Sequence, residues 1–323
     1  MSGEAKTRYG ASLAGFRQQL EDSLLELGEV YPNMVVVDAE TSTATNIIGF
    51  RDKFPERFVT CGIAEQAAVS FAFALSRSNI IPVVPLFSCF ITRRAYDQLY
   101  LQMGYAHSNV KVIGCYSGIT SPNTGATHQS IVDVACMRAI PGMTVIEAAD
   151  IFEFKSAMEE IMKYKGPVFL RMVRGDIDPY DKVRCVPEGY QYQIGKSPVL
   201  REGTDISLVA GGIMVPRALE AADILAGKGI SAEVVDCSSI KPIDTDTLVA
   251  SAKKTGKVVC CENSNIQGNM GGAVAECLVQ HCPVPMRFAG VNERYGWSGD
   301  LKELLPAYGI STENILEKAY ELL

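Results

Sequence analysis

The chain has 323 residues, a length that favours about two domains, each large enough to bury its own core. Hydrophobic residues make up 47% of the sequence and charged residues 21%, which is typical of a folded globular protein and excludes a disordered one. The 30 basic and 37 acidic residues give a net charge of −7, which argues against a general affinity for nucleic acid or for anionic membranes.

The sequence indicates neither a targeting segment nor a metal site. The N-terminus contains no apolar signal region, and no stretch approaches the roughly 20 apolar residues that span a bilayer, so we expect a cytoplasmic protein. The 10 cysteines lie mostly within apolar runs and form no CxxC pair, and the 3 histidines are not spaced to join them. We therefore expect reduced thiols and no metal bound by this chain alone.

Strand-like and helix-like patterns alternate along the first half of the chain. Short, β-branched apolar runs predict five strands, at residues 34–37, 80–86, 110–115, 144–146 and 168–172. The stretches between them predict helices at residues 64–77, 93–105, 131–138 and 151–164. Such alternation is typical of a parallel sheet that is covered by helices on both faces.

The alternation breaks after the fifth strand and then resumes. Residues 173–204 are rich in Gly, Pro and charge, which indicates a connection between domains. Beyond it the patterns predict strands at 206–210, 232–235, 258–261 and 284–287, and helices at 215–226, 246–252, 272–279 and 312–323. The predicted fold is therefore α/β, with two tandem open-sheet domains at residues 1–180 and 205–323 and a linker at 181–204.

The first motif that could carry chemistry places Glu65 in the first turn of an apolar helix. One interpretation is a solvated carboxylate that complements the helix dipole. The other follows from the composition of the helix, because a helix this apolar is expected to be buried all round and to begin in an interface or cleft. A carboxyl in such a place would have a raised pKa and could donate a proton near neutral pH.

Three further motifs could carry chemistry, and two of them lie at the ends of predicted strands, where open α/β sheets bind ligands. Phe87 and Phe90 could form a wall for a flat ring, or could simply pack in the core. His128 follows a Gly-containing turn and could move a proton or lie on the surface. Arg171 and Arg174 could hold a phosphate, or could form a solvated pair with Asp176.

Taken in order, these motifs resemble the second half of transketolase, particularly the form encoded as two polypeptides. The resemblance covers essentially the whole chain and rests on Gly62-Ile63-Ala64-Glu65-Gln66, Phe87, Phe90, Gly125-Ala126-Thr127-His128-Gln129 and Arg174. It implies a pyrimidine-binding domain followed by a transketolase C-terminal domain. It also implies thiamine-diphosphate chemistry, in which a two-carbon ketol unit passes from a ketose or ketose phosphate to an aldose.

The resemblance also implies roles for individual residues. Glu65 matches the carboxyl that exchanges a proton with the aminopyrimidine ring, and His128 the histidine near the reacting carbons. Phe90 matches the ring that stacks on the aminopyrimidine, with Phe87 beside it and Glu40 lining the cofactor pocket. The positions matched to substrate and phosphate binding are Arg17, Arg174 and Thr45.

The resemblance further predicts a partner. Transketolases hold the diphosphate and its Mg²⁺ or Ca²⁺ through a Gly-Asp-Gly motif, which this sequence lacks. We therefore expect a second subunit that carries the diphosphate-binding domain, the metal and its ligands, most simply as an α2β2 assembly. The C-terminal domain of this chain is expected to contribute dimer contacts and no catalytic residue.

Two positions depart from the family pattern. Tyr116 stands where a histidine is usual, and Thr124 where an aspartate is usual, which predicts a specialised substrate, such as a branched, modified or unphosphorylated sugar. Other interpretations are the β subunit of a 2-oxoacid dehydrogenase, a deoxyxylulose-phosphate synthase, and a regulatory subunit without catalysis. The dehydrogenase subunit lacks a Thr-His-Gln sequence such as the one at 127–129 of this chain. The synthase is usually one longer chain with its own Gly-Asp-Gly. A regulatory subunit would have no need to keep Glu65.

Overall fold

The computed structural model describes residues 15–175 and 178–323. The beginning of the predicted first domain, residues 1–14, and Asp176, suggested as a partner for an arginine, lie outside the described residues. Among the helices of the described part, none is long and apolar enough to cross a bilayer.

The first half folds around a mixed sheet with helices on both faces. Its strands are β1 (Met34–Asp38), β2 (Phe58–Thr60), β3 (Ile81–Phe87), β4 (Lys111–Cys115), β5 (Thr144–Glu147) and β6 (Val168–Arg171). Its helices are α1 (Phe16–Val30), α2 (Ser42–Thr45), α3 (Ile48–Lys53), α4 (Glu65–Ser76), α5 (Ser88–Arg94), α6 (Tyr96–Gln98), α7 (Asp133–Ala139) and α8 (Ile151–Lys163). All five predicted strands are present; β2, a three-residue edge strand, was too short to give an apolar run.

The second half builds its own sheet. Its strands are β7 (Val199–Arg201), β8 (Ile206–Ala210), β9 (Ala232–Asp236), β10 (Ser239–Lys241), β11 (Val258–Asn265) and β12 (Met286–Val291). Its helices are α9 (Met214–Ala226), α10 (Thr245–Thr255), α11 (Met270–His281), α12 (Leu301–Ala307) and α13 (Thr312–Tyr320). The α/β class with two open sheets is therefore confirmed.

One strand of the second half joins the first sheet, which the sequence patterns did not indicate. The first sheet has the order β10-β5-β6-β4-β3-β1-β2, and the second has the order β12-β11-β8-β9-β7. Strand β10 comes from the second half but pairs antiparallel with β5. Strand β7 lies within the predicted linker and pairs antiparallel with β9. Both strands have only three residues and lie at sheet edges, where a short segment gives no clear period.

The helix predicted at residues 93–105 is broken in the structure. Helix α5 begins at Ser88, directly after β3, and ends at Arg94; α6 and a π-helical segment, Leu99–Tyr105, follow. The early start has a consequence for function, because Phe87 and Phe90 then lie at the junction of a strand and a helix.

A buried arginine ties the two halves together. Arg171, at the end of β6, is fully buried and donates to Asp133 at 2.9 Å and to Glu147. It also donates to the carbonyls of Ser130 at 3.2 Å and of Asn263, in the second sheet, at 2.8 Å. The suggestion that Arg171 binds a phosphate was therefore wrong, since its guanidinium is enclosed and already paired.

A pair of buried carboxyls lies at the same boundary. Glu153, in α8, accepts hydrogen bonds from the backbone of Ala149 at 2.8 Å and from Tyr190 at 3.3 Å. Asp236, at the end of β9, is fully buried and interacts with Glu153. Burial raises the pKa of Glu153 to about 7, and burial and then the charge of Glu153 raise that of Asp236. No ion pair among the described residues compensates either group.

Candidate active site

The candidate site lies along the carboxyl edge of the first sheet. Strands β6, β4, β3 and β1 are adjacent and parallel, so the residues that follow them share one edge. The predicted residues that follow these strands are Arg174, Tyr116, Phe87, Phe90, Glu40 and Thr45. Sheet topology thus collects side chains that are far apart in sequence.

An aromatic wall forms the centre of this edge. The rings of Phe87 and Phe90 have centroids 5.4 Å apart, because the strand passes directly into a helix at this point. The His128 ring meets both edge-on, at 5.0 Å from Phe90 and 5.9 Å from Phe87. The structure therefore brings these three predicted residues together, as a surface suited to a flat heterocycle.

Glu65 lies beside the wall. It is the first residue of α4, its side chain is 6% exposed, and Arg94 Nη1 donates to its Oε1 at 2.7 Å. The same guanidinium lies 4.0 Å from the centre of the Phe90 ring. Sequence reasoning missed Arg94, although its position four residues after Phe90 on one helix was a usable signal.

Helix α4 is not buried all round, which corrects the expectation from its composition. Ala68, Val69 and Ala72 are buried, whereas Phe71 is 41% exposed and Ile63, just before the helix, is 79% exposed. The apolar composition therefore reflects two faces, of which one packs on the sheet and one is open in this chain.

The loop that carries His128, residues 121–129 (the histidine loop), is held by hydrogen bonds. Thr127 Oγ1 lies 2.8 Å from Nδ1 of His128, and Arg93 donates to the Thr127 carbonyl at 2.7 Å. Burial, and then the charges of Arg94 and Arg93, lower the pKa of His128, so the ring is neutral at neutral pH. The exposed Thr124 pairs its hydroxyl with Ser121 Oγ at 2.7 Å, within the loop.

A loop of the second half supports this histidine loop. Gln129 Nε2 donates to the Trp297 carbonyl at 3.2 Å, and the Gly299 backbone donates to the Pro122 carbonyl at 3.1 Å. A Cβ on Gly296 would lie 1.3 Å from Gln129 Oε1, so the Gln129 side chain can keep its position only with glycine there. The second half thus contributes to the site by packing, a role that the sequence did not indicate.

A cationic cluster lies at the other end of the wall. Tyr116, 6% exposed, packs against Phe87 with a centroid distance of 4.4 Å and donates to the Ala44 carbonyl at 2.9 Å. The Arg174 guanidinium lies 5.6 Å from the Tyr116 ring, and Arg17 Nη1 donates to the Ala44 carbonyl at 3.4 Å. These residues therefore converge, although Arg17 comes from a distant helix.

Two predicted residues do not join these groups. Thr45 is fully buried and donates its hydroxyl to the Thr41 carbonyl at 3.0 Å, so it does not offer the hydroxyl to a ligand. Glu40 is exposed, has a φ of 60°, and accepts from Thr60 at 3.5 Å beside β2. It lies at the same sheet edge as the wall, on the side of β2.

Comparisons with known proteins cover both halves of the chain. A family model of the transketolase pyrimidine-binding domain matches residues 14–179, and one of the transketolase C-terminal domain matches residues 195–315. A 6-deoxy-6-sulfo-D-fructose transketolase subunit of Clostridium sp. (strain MSTE9) is 39% identical over 95% of this chain and 94% of its own length. One of the subunits of an apulose-4-phosphate transketolase, from Phocaeicola vulgatus, is 32% identical over 95% of this chain and 97% of its own length.

A solved structure gives the same result at the level of the fold. It is a split-gene transketolase in an inactive beta4 tetramer, with a TM-score of 0.86 and 35% identity. The alignment covers 96% of this chain and 98% of that one.

Proposed function

The chain belongs to the transketolase family, as a subunit of its split form, and from this premise we propose that it supplies the pyrimidine-binding half of the catalytic centre. The observation that carries the proposal is the position of Glu65 beside the aromatic wall of Phe87, Phe90 and His128. The assembled enzyme then transfers a two-carbon ketol unit from a ketose to an aldose.

The side chains fit the pyrimidine part of thiamine diphosphate. Phe90 and Phe87 offer faces to a flat ring, and the nearly buried carboxyl of Glu65 can bond a ring nitrogen. When bound, thiamine diphosphate provides the electron sink that ketol transfer requires. Glu65 exchanges a proton with the ring nitrogen, and the neutral His128 hydrogen-bonds a hydroxyl of the substrate near the reacting carbons.

We assign the diphosphate and its Mg²⁺ or Ca²⁺ to a partner subunit, in an α2β2 assembly. The relatives named as subunits match this chain over almost their whole length, which supports a partner. The open face of α4 supports one too, since Ile63 and Phe71 expose apolar surface next to Glu65. Within residues 15–175 and 178–323, no group of three or more His, Cys, Asp and Glu side chains is arranged to hold a metal.

We also propose that Arg17, Arg174 and Tyr116 receive the anionic end of the sugar. Two guanidinium groups meet there, and guanidinium is suited to phosphate and other oxyanions. The names of two relatives refer to a sulfonated and to a phosphorylated sugar, which supports an anionic, modified ketose as the substrate class.

The domain limits remain a proposal, with a pyrimidine-binding domain at 1–180, a linker at 181–204 and a C-terminal domain at 205–323. Strand β7 favours an earlier start for the C-terminal domain, because Val199–Arg201 already belong to its sheet.

The proposed function is tested by co-purifying the chain with its partner and measuring ketol transfer between sugars, with and without thiamine diphosphate and Mg²⁺. We expect transfer only when the chain, the partner, the cofactor and the cation are all present. A pyruvate-dependent reduction of a dye, without transfer between sugars, would instead favour a 2-oxoacid dehydrogenase and overturn the proposal.

A further inference from the structure

Arg94 is the last residue of α5, one helical turn after Phe90. Residues four apart lie on the same face of a helix, so the guanidinium packs on the Phe90 ring, 4.0 Å from its centre. Its Nη1 also donates to Glu65 Oε1 at 2.7 Å. A single side chain, 48% exposed, therefore touches both residues assigned to the pyrimidine ring.

Few contacts other than the one with Arg94 fix the orientation of the Glu65 carboxylate. Among the described residues its one hydrogen bond comes from Arg94, and Ala64 provides no side-chain cap at the start of α4. A buried carboxylate without a partner is costly and can rotate about its side-chain bonds to find one. Arg94 therefore determines where the Glu65 oxygens lie.

We propose that Arg94 is a positioning residue for Glu65: it engages Oε1 and rests on Phe90, so that Oε2 is left for a nitrogen of a ring stacked on Phe90. The inference rests on the proposed function and deepens it. The exposed side of the Arg94 guanidinium faces water, so its charge needs no second partner within the chain.

Arg94 also acts on His128 through its charge. The pKa of His128 is lowered first by burial and then by the charges of Arg94 and Arg93. Removal of the Arg94 charge is therefore expected to move the pKa of His128 upward. A residue with a purely structural role would leave this pKa unchanged.

The test compares Arg94→Met, which keeps an unbranched apolar stem but removes the guanidinium, and Arg94→Lys, which keeps the charge, in the assembled enzyme. Two quantities are measured: the affinity for thiamine diphosphate by calorimetry, and the rate of C2–H exchange of the bound cofactor by NMR. For Arg94→Met we expect exchange to slow by about tenfold or more, since general acid–base catalysis supplies roughly 10²–10⁴-fold. The affinity for thiamine diphosphate is expected to change less than the exchange rate. Arg94→Lys is expected to recover part of the exchange rate.

The control is Arg77→Met at the exposed C-terminal end of α4, which is expected to match wild type in both quantities. Wild-type exchange in Arg94→Met would overturn the inference, and so would tighter binding with faster exchange, because Arg94 would then obstruct the ring. Glu65→Gln separates this inference from the proposed function. If Glu65→Gln stops exchange while Arg94→Met does not, only the role of Arg94 is wrong; if neither slows it, the proposed function is wrong.

Discussion

Two arginine–carboxylate pairs at the same edge of the first sheet differ in how completely they are satisfied. Arg171 is fully buried and bonds two carboxylates and two carbonyls. Arg94 is half exposed and, among the residues that the structure describes, hydrogen-bonds Glu65 alone, beside aromatic faces that are open to a ligand. The saturated pair holds the two halves of the chain together, whereas the unsaturated pair retains the capacity to bind something else. The number of hydrogen bonds that each arginine makes within the chain therefore distinguishes the structural ion pair from the candidate catalytic one.

The largest effect on stability is expected from Arg171→Met. The change leaves Asp133 and Glu147 buried without their cation, and breaking such a pair costs about 3–5 kcal/mol. Denaturant unfolding measures this loss, and Arg94→Met, which removes a half-exposed arginine and leaves one carboxylate without its cation, is the comparison and is expected to lose less. Equal losses in the two variants would contradict the distinction between the pairs.

The buried carboxyls of Glu153 and Asp236 form no ion pair within the described part of the chain, and they predict a pH-dependent stability. Glu153 has its pKa raised to about 7 by burial next to Asp236, and burial also raises the pKa of Glu262 to about 7. The folded protein therefore holds these protons at pH values where the unfolded chain has released them. The free energy of unfolding is expected to fall as the pH rises from about 4.5 to about 7, and to level off above that for these groups.

The midpoint of thermal unfolding, measured across this range, checks the sign. Asp236→Asn removes one of the two facing carboxyls and is expected to reduce the slope. A midpoint that rises with pH over this range, with the same slope in the wild type and in Asp236→Asn, would contradict the expectation.

A smaller effect is expected where the second half supports the histidine loop. Gly296→Ala places a Cβ 1.3 Å from Gln129 Oε1, so the Gln129 side chain must shift and its hydrogen bond to the Trp297 carbonyl is disturbed, which should lower kcat. The overpacking should also lower the free energy of unfolding by about 1–3 kcal/mol. Gly272→Ala, in α11, meets only an ordinary contact with Arg138 and is the control. Unchanged turnover in Gly296→Ala would show that the loop contact has no role in catalysis.

The smallest effect is expected from Tyr116→Phe. The change removes the hydrogen bond to the Ala44 carbonyl, worth about 1 kcal/mol, and keeps the ring contact with Phe87. We expect KM for the ketose to rise by a few-fold with kcat nearly unchanged, because the residue lies at the anionic end of the proposed substrate. Steady-state kinetics measures both, and a fall in kcat alone would place Tyr116 in the chemical step.

Much of the fold follows from the sequence, because buried parallel strands are continuous apolar runs and helices repeat every 3.6 residues. Strands β7 and β10 escaped prediction since three-residue edge strands depend on a neighbouring strand more than on their own pattern. The site was predictable where a motif is local, as at Glu65, Phe90 and His128. The role of Arg171 was not predictable, because it ends an apolar strand and only tertiary contacts show that its guanidinium is enclosed.

The most direct test of the central claim is ketol transfer by the assembled enzyme with Glu65→Gln. We predict that turnover falls by about 10²–10⁴-fold, while the partner still binds and the unfolding midpoint stays near that of wild type, because Glu65 exchanges the proton and does not hold the fold. Wild-type turnover in Glu65→Gln would contradict the assignment of this chain as the pyrimidine-binding half of the catalytic centre.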